Sequence, residues 1–297
     1  LSNSGAEANE CLIKTARKWA SDTKGEGEHP FVTLVNSFHG RTLTTVTATG
    51  QDTFHKFFGP FTPGFRYVPA SDLAALERQL DAEDCSAVLV EIVQGEGGVR
   101  ALDADYLKAV EALCHEKNVL FCVDEVQTGN GRTGTWFAYE QFGLSPDLVS
   151  TAKGLGNGLP IGATLMGSKT AEVLTPGTHG STFGGNPVAC AGALSVLEQI
   201  DDAFLEAVKQ KGAWLTAELE KIPGVKDVSG LGLMLGFSVE GCKSADIKAK
   251  ALDNGLVVLT AKDRVRLLPP LAITEEELSD GLLRLAAAIR EVQEAAH

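Results

Sequence analysis

The sequence predicts an α/β fold in which a mainly parallel central sheet has helices on both faces, followed by a smaller C-terminal α+β domain. Short apolar runs of strand length recur along the first part of the chain, and most are separated by stretches with helical spacing of apolar residues. That alternation is typical of a parallel sheet covered on both sides. From about Pro187 the pattern changes to long helices and then short strands, so we expect domains at residues 1–200 and 201–297.

The first predicted element is a helix that starts at residue 5. Ser4 and Glu7 have the spacing of a capping box, in which the serine caps the helix and the glutamate bonds back to the preceding backbone. The apolar residues that follow recur at helical spacing: Leu12, Ile13, Ala16 and Ala20.

The strands of the first domain are predicted where apolar residues run together. These runs lie at Phe31 to Val35, Ala87 to Val93, Val119 to Val123, Leu148 to Ser150 and Ala163 to Met166. Helical patterns lie at Leu73 to Leu80 and Tyr106 to Glu116.

The later part of the chain has a different order of elements. We predict helices at 187–200 and 202–221, and strands near 231–239, 256–260 and 265–268. A second capping box, Thr274 with Glu277, opens a last helix that runs to about residue 295.

Composition and charge narrow the classes of function. The 297 residues are 44% hydrophobic, which is enough for a sizeable buried core and about two domains. The net charge of −13 disfavours binding to nucleic acid or to an anionic membrane, because both need a basic surface. No stretch approaches the roughly 18 apolar residues of a membrane span, and the start lacks the features of a signal peptide. We therefore expect a cytoplasmic protein that acts on small metabolites.

The cysteines are predicted to be reduced packing residues. No Cys-x-x-Cys pair and no histidine at metal-ligand spacing is found, so no metal site is expected. The six positions are Cys11, Cys85, Cys114, Cys122, Cys190 and Cys242. The sequence also begins without Met, directly before the first capped helix, which we interpret as the absence of an N-terminal segment.

Three places in the first domain could carry chemistry, and each has an ordinary alternative. Gly5 and Ala6 are small residues at a helix start, where backbone N–H groups can bind an anion, although a simple capped helix is commoner. Asp124 ends a fully buried predicted strand, where α/β folds bind ligands, but a loop cap explains it equally well. Lys153 precedes a glycine loop and could act as a desolvated nucleophile, whereas alone it is more often a solvated surface lysine.

Two further features could bind anions. The segment from Thr178 to Pro187 offers hydroxyls, among them Ser181 and Thr182, on a glycine-rich stretch before a helix, and an ordinary turn is the alternative. Arg41 and Arg266 are candidate carboxylate clamps, because a guanidinium can bind a carboxylate through two hydrogen bonds. Each of them alone is more often part of a surface ion pair.

Taken together and in this order, these segments resemble the class-III, or ornithine-type, aminotransferases, which use pyridoxal 5′-phosphate (PLP). The most specific are Asp-Glu-Val-Gln-Thr-Gly-x-Gly-Arg-Thr-Gly and Ala-Lys-Gly, and the resemblance extends from residue 2 to the last helix. It implies the fold-type I architecture of PLP-dependent transferases, without the family's N-terminal segment. The matching segments are Asn3 to Glu10, Phe38 to Thr42, Gln94 to Val99, Asp124 to Gly134, Lys153 to Gly162 and His179 to Pro187.

The resemblance implies a role for each cofactor-binding residue. Lys153 would bind PLP covalently and move a proton between substrate and cofactor, and Asp124 would pair with the pyridine nitrogen. Phe38 would stack on the ring, and Gln127 would bond to its phenolic oxygen. The full implied set is Ser4, Gly5, Ala6, Phe38, His39, Asp124, Gln127, Lys153, Ser181 and Thr182.

The resemblance also implies substrates and a partner. The δ-amino group of N-acetylornithine would pass to 2-oxoglutarate, giving N-acetylglutamate 5-semialdehyde and glutamate, a step of arginine biosynthesis. Arg41 would bind the α-carboxylate of N-acetylornithine, and Arg266 that of glutamate or 2-oxoglutarate, with Glu96 as its movable salt-bridge partner. Ser181 and Thr182 would serve the active site of the neighbouring subunit in a homodimer. The alternatives are another amino donor of this family (ornithine, succinylornithine or 4-aminobutyrate) and a catalytically incomplete fragment.

Overall fold

A computed structural model describes residues 1–81 and 84–295, so the last two residues of the expected small domain lie outside the description. The chain divides into two units. The first comprises residues 1–92, 102–130 and 137–200, and the second comprises 93–101, 131–136 and the chain from Asp201 onward. Two short segments that precede residue 200 therefore belong to the second unit.

The first unit is built on a six-stranded sheet. The strands are β1 (Phe31–Leu34), β2 (Phe65–Val68), β3 (Ala87–Val90), β4 (Leu120–Asp124), β5 (Leu148–Thr151) and β6 (Ala163–Met166). Their order in the sheet is β2-β1-β3-β4-β5-β6, and all neighbours pair in parallel except β5 and β6, which are antiparallel. The predicted mainly parallel sheet is thus confirmed.

The sequence pattern does not predict β2. This strand lies at the edge of the sheet, pairs only with β1 among the described strands, and is half exposed. Because Arg66 interrupts its apolar residues, it lacks the continuous apolar run that identifies the inner strands.

The helices of the first unit lie before, between and after the strands of this sheet along the chain. They are α1 (Gly5–Lys24), α2 (Leu43–Ala48), α3 (Leu73–Leu80), α4 (Ala104–Glu116) and α5 (Pro187–Leu197). Helix α1 begins at residue 5 as predicted, and Ser4 Oγ accepts the N–H of Glu7 at 3.2 Å. The Glu7 carboxylate accepts the N–H of Asn3 at 2.5 Å, one residue earlier than a capping box requires.

The core of the first unit forms where α1 packs against the sheet. Leu12, Ile13 and Ala16 of the predicted helical stripe are fully buried, together with Phe31 of β1 and Leu89 of β3. A completely buried helical stripe over completely buried strands fixes the start of α1 relative to the strand ends, which positions the candidate site described below.

The second unit has its own antiparallel sheet. Its elements are α6 (Asp202–Leu219), β7 (Val225–Leu231), β8 (Met234–Val239), α7 (Ser244–Asp253), β9 (Leu259–Ala261), β10 (Arg264–Leu267) and α8 (Glu275–Ala295). The order of the strands in the sheet is β9-β10-β8-β7. The capping box at α8 is present, because Thr274 N donates to Glu277 Oε2 at 2.9 Å and Glu277 N donates to Thr274 Oγ1 at 3.2 Å. Phe237 and Ile247 lie in the core of this unit.

Two elements of the second unit are absent from the sequence prediction. Helix α7 buries only Ser244, Ile247 and Ala251, so its apolar stripe is too narrow to identify it. Every residue of β7 is exposed or half-buried, and polar residues interrupt its apolar ones, so it lacks a continuous apolar run.

A small β-hairpin, residues 93–101, also belongs to the second unit. Val93 pairs with Ala101 and Gln94 with Arg100. The predicted strand Ala87 to Val93 is shorter in the structure: it ends at Val90, and Val93 already begins the hairpin. In the part of the chain that is described, no helix is long and apolar enough to cross a membrane.

Candidate active site

Asp124 and Lys153 follow neighbouring strands of the first unit. Asp124 is the last residue of β4 and pairs in register with Ser150 of β5, while Lys153 comes just after the end of β5. Because β4 and β5 are parallel, their carboxyl ends lie at the same edge of the sheet, where α/β folds bind ligands.

Asp124 is a buried carboxylate with three hydrogen-bond donors. Its Oδ2 accepts from Asn9 Nδ2 and from His39 Nδ1, both at 2.8 Å, and its Oδ1 accepts from the N–H of Val126 at 3.0 Å. Burial raises the pKa of Asp124, but the interactions with His39, Val126 and Asn9 together outweigh it and hold the pKa below its usual value. The site therefore presents a fixed negative charge at neutral pH.

Asn9 belongs to this arrangement, although the sequence did not single it out. Its amide nitrogen donates to the His39 carbonyl at 2.8 Å as well as to Asp124, and its side chain is buried. The signal was present in the sequence, because Asn9 shares the helical stripe of Leu12, Ile13 and Ala16. A polar residue on a buried stripe requires partners, which here are the two candidate cofactor-binding residues.

Asp124 and Lys153 line a common cavity of about 170 Å³. Other predicted residues that line it are Gly5, Ala6, Phe38, His39 and Gln127. The structure adds Asn9, Gly40, Glu91 and Val126. Lys153 begins a short 3₁₀ turn with a φ of 47°, a left-handed conformation that is uncommon for residues other than glycine and is often found at functional sites.

Gly5 is required at this cavity for steric reasons. A Cβ atom on Gly5 would lie 2.5 Å from Cγ1 of Val126, so no larger residue fits without displacing that side chain. Gly5 and Ala6 are the first residues of α1, and their N–H groups have no acceptor within the helix. They lie at the positive end of the helix dipole, which favours an anion.

The backbone of Phe38 is fixed by a buried acid that the sequence did not identify. Its N–H donates to Glu91 Oε1 at 2.8 Å, and Glu91 is only 4% exposed. The Phe38 ring packs edge-on against Phe54, with 5.2 Å between the ring centroids. Glu91 thus fixes the backbone of Phe38, and Phe54 fixes its ring beside the cavity.

Arg41 and Ser4 are not among the residues that line this cavity. The Arg41 guanidinium stacks on Phe54 at 4.7 Å and on Phe38 at 5.5 Å, so it lies directly beside a cavity residue. Ser4 acts as the cap of α1.

Ser181 and Thr182 line a separate cavity of about 370 Å³, still within the first unit. Ser181 Oγ accepts a hydrogen bond from Asn3 Nδ2 at 3.0 Å, and His179 lines the same cavity. Burial, followed by the charge of Lys14, lowers the pKa of His179. The described parts of the chain contain no group of three acidic, histidine or cysteine residues that could hold a metal ion.

Glu96 and Arg266 form an ion pair within the second unit. Arg266 Nη1 and Glu96 Oε1 are 2.6 Å apart, although 170 positions separate them in the sequence. The Arg266 side chain is 9% exposed and that of Glu96 is 29% exposed, so the pair is shielded on the arginine side.

The family model for class-III aminotransferases matches residues 1–289. The chain belongs to the class-III aminotransferases. This class-III aminotransferase is 51% identical to an acetylornithine aminotransferase from Haemophilus ducreyi, over 98% of this chain and 75% of that protein. It is 47% identical to one from Bacillus subtilis, over 97% of this chain and 74% of that protein.

Solved structures agree with the class-III fold. The ornithine aminotransferase of Toxoplasma gondii is 38% identical and superposes with a TM-score of 0.92, over 99% of this chain and 72% of that one. The N-acetylornithine aminotransferase of Stenotrophomonas maltophilia is 37% identical, with a TM-score of 0.85, over 99% and 75% of the two chains. This class-III aminotransferase has the expected fold-type I architecture and is a PLP-dependent transaminase.

The residues of the 170 Å³ cavity fit PLP. An ionised buried carboxylate suits a protonated pyridine nitrogen, the Lys153 amine suits the aldehyde, and the N–H groups of Gly5 and Ala6 suit the phosphate. Bound there, PLP supplies an aldehyde that reacts with amines and a ring that withdraws electrons from the substrate carbon.

Proposed function

We propose that this class-III aminotransferase transfers the δ-amino group of N-acetylornithine to 2-oxoglutarate and releases N-acetylglutamate 5-semialdehyde and glutamate. The observation that supports it most is the Glu96–Arg266 ion pair, because an enzyme whose two substrates carry their amino groups on different carbons needs a carboxylate site that can be closed. The names of the relatives at 44–51% identity support the same amino donor.

Lys153 and Asp124 are proposed to do the proton chemistry. The Lys153 amine, once released by the incoming amino donor, takes a proton from the substrate carbon and returns it during transfer. Asp124 holds the proton on the pyridine nitrogen, and its hydrogen bonds to Asn9 and His39 keep the carboxylate ionised and oriented. Ser4, Gly5 and Ala6 would hold the phosphate at the start of α1, and Gln127 the phenolic oxygen.

The two arginines are proposed to divide the carboxylates between them. Arg41, held by its stacking on Phe38 and Phe54, binds the α-carboxylate of N-acetylornithine. Arg266 binds the α-carboxylate of 2-oxoglutarate or glutamate. When N-acetylornithine is the substrate, Glu96 neutralises Arg266, so an unpaired buried cation is avoided.

The enzyme is also proposed to act as a homodimer in which Ser181 and Thr182 bind the phosphate of the neighbouring subunit. Helix α5 and the segment before it expose large apolar side chains: Phe183 is 73% exposed, Val188 69% and Leu194 59%. Apolar side chains exposed together on one stretch are typical of an interface. Sedimentation equilibrium should give twice the chain mass, whereas a monomer that is fully active would contradict the shared site.

A spectroscopic half-reaction tests the catalytic proposal. Protein loaded with PLP should show the visible absorbance of the lysine-bound cofactor, and N-acetylornithine alone should abolish it; 2-oxoglutarate should then restore it, because the kinetics are ping-pong. The Lys153→Ala variant should show neither change. A faster loss of absorbance with ornithine, succinylornithine or 4-aminobutyrate would reassign the donor, and a wild-type spectrum equal to that of Lys153→Ala would indicate an incomplete catalytic unit.

The arginines are tested separately by the same assay. Arg41→Ala should slow the half-reaction with N-acetylornithine more than that with glutamate, and Arg266→Ala should do the reverse. An equal effect of either substitution on both half-reactions would contradict the proposed division of carboxylates.

A further inference from the structure

The hairpin that carries Glu96 lies over a row of cross-strand neighbours in the second unit. Ser229 of β7 pairs directly with Gly236 of β8, and Gly236 pairs directly with Arg266 of β10. Residues that are directly opposite in antiparallel strands point to the same face of the sheet, roughly 5 Å apart. These three positions, here called the docking row, therefore form one line across that face.

Each member of the docking row contacts the hairpin. Ser229 Oγ donates to the Val99 carbonyl at 2.6 Å. A Cβ atom on Gly236 would lie 2.7 Å from Cβ of Val99, so the missing side chain of Gly236 is the space that Val99 occupies. The third member, Arg266, contacts the hairpin through its ion pair with Glu96, at 2.6 Å.

Val99 has a backbone conformation that its side chain disfavours. Its φ is 54°, in the left-handed region, where a β-branched residue is rare. Such a conformation persists only when its surroundings fix it. The Ser229 hydroxyl fixes the carbonyl of Val99, and the space at Gly236 fixes its side chain.

A buried arginine directs the Ser229 hydroxyl. Arg264 Nη2 donates to Ser229 Oγ at 2.8 Å and to the Gly236 carbonyl at 2.6 Å, and Arg264 is 1% exposed. Because Ser229 Oγ accepts from Arg264, its single proton is available for the Val99 carbonyl. A hydroxyl that accepts a hydrogen bond from a cation also becomes a stronger hydrogen-bond donor.

We propose that Val99, Ser229 and Gly236 are positioning residues that set the strength of the Glu96–Arg266 ion pair and thereby the choice between amino donors. The inference rests on the proposed function of that pair. The hairpin backbone is anchored on both sides of Glu96, by the ladder from Val93 to Ala101 and by the docking row. Arg266 is therefore released by rotation of the Glu96 side chain on a fixed backbone. A shift of Val99 weakens the pair and leaves Arg266 open to carboxylates at all times.

The test uses the PLP-loaded enzyme and the ratio of kcat/KM for glutamate to that for N-acetylornithine. Ser229→Ala should raise this ratio by roughly three- to tenfold, the range that corresponds to one net hydrogen bond. Glu96→Gln should raise it further in the same direction. Ser238→Ala is the matched control, because its hydroxyl donates within the same sheet, to the Lys226 carbonyl at 3.3 Å and the Asp227 carboxylate at 3.2 Å, and the ratio should not change.

Val99→Gly provides a second test: glycine adopts a positive φ without strain, and this relief offsets part of the stability lost with the buried Val99 side chain. It should raise the ratio in the same way, measured below the unfolding temperature of the variant. If Glu96→Gln raises the ratio but Ser229→Ala and Val99→Gly match Ser238→Ala, or slow both donors equally, the positioning role is refuted. If Glu96→Gln itself leaves the ratio unchanged in an active enzyme, the proposed function of the pair fails and the inference fails with it.

Discussion

Glu125, next to Asp124, is a buried acid that the proposed reaction does not use. Its side chain is fully buried. Its Oε1 accepts a hydrogen bond from the N–H of Tyr139 at 2.9 Å, and its Oε2 accepts one from the Thr128 hydroxyl. Burial raises the pKa of Glu125 to about 7, in spite of the hydrogen bonds from Thr128 and from the backbone of Tyr139 and Ala138. We predict that this one side chain makes the protein less stable above neutral pH.

The magnitude follows from the difference between the folded and unfolded pKa. A rise from 4.5 to about 7 corresponds to about 3 kcal/mol, at about 1.4 kcal/mol for each pKa unit. The folded state holds the proton more tightly, so the free energy of unfolding falls as the pH rises from 4.5 to about 7 and stays lower above it. Glu125→Gln removes this penalty, because an amide is neutral, offers an oxygen to the Tyr139 N–H and can donate to Thr128.

Urea-induced unfolding at pH 5 and at pH 8.5 measures the effect. Glu125→Gln should lie within about 1 kcal/mol of wild type at pH 5 and be more stable by about 3 kcal/mol at pH 8.5. Exposed Glu140, on the following 3₁₀ turn, is the matched control, and Glu140→Gln should change the free energy of unfolding by less than about 0.5 kcal/mol at both values. A Glu125→Gln variant that is less stable than wild type at pH 8.5, or shifted equally at both values, would refute the reasoning.

Three other predictions concern the cavity and one buried thiol. Gly5→Ala should weaken PLP binding, because its Cβ would lie 2.5 Å from Val126, and the double variant with Val126→Ala should recover most of the affinity; equilibrium titration with PLP measures both, and no recovery would contradict the steric explanation. Asp124→Asn should lower kcat roughly 10- to 100-fold, the value of a charge-assisted hydrogen bond, and an unchanged kcat would exclude a role at the pyridine nitrogen. Burial raises the pKa of Cys85 to about 11, so this thiol should resist alkylation at pH 8 until the protein unfolds, and mass spectrometry of the native protein would reveal any exception.

The inner elements of the fold could be predicted because burial leaves a simple pattern in the sequence. Strands β3 and β4 are buried on both faces and consist of continuous apolar runs, and α1 carries a regular apolar stripe. Strands β2 and β7 and helix α7 are only partly buried, so at most one face of each element has to be apolar. Their formation depends on neighbours that are distant in sequence, which a local pattern does not contain.

Residues that carry the chemistry themselves could be predicted from the sequence. Residues that act through contacts between distant segments were harder to predict. Asp124 and Lys153 stand out at strand ends, and the resemblance to the family supplied their proposed roles. Asn9 and Glu91 hold two of the predicted residues, His39 and Phe38, but each is recognised only when the tertiary structure places its partner beside it. A buried polar residue indicates that a partner exists without identifying it.

Gly236 shows how much further a sequence signal can be taken once the structure is known. It lies in the middle of β8, between Leu235 and Phe237, where glycine weakens a strand because it adds backbone entropy to the unfolded state and has no side chain to pack. A glycine at such a position indicates that another segment approaches closely, and the structure identifies that segment as Gly98 and Val99 of the hairpin, with the Val99 side chain as the nearest neighbour. Since Val99 lies in the same hairpin as Glu96 and Gly236 pairs with Arg266, the space left by one absent side chain lets the segment that carries Glu96 pack against the sheet that carries Arg266.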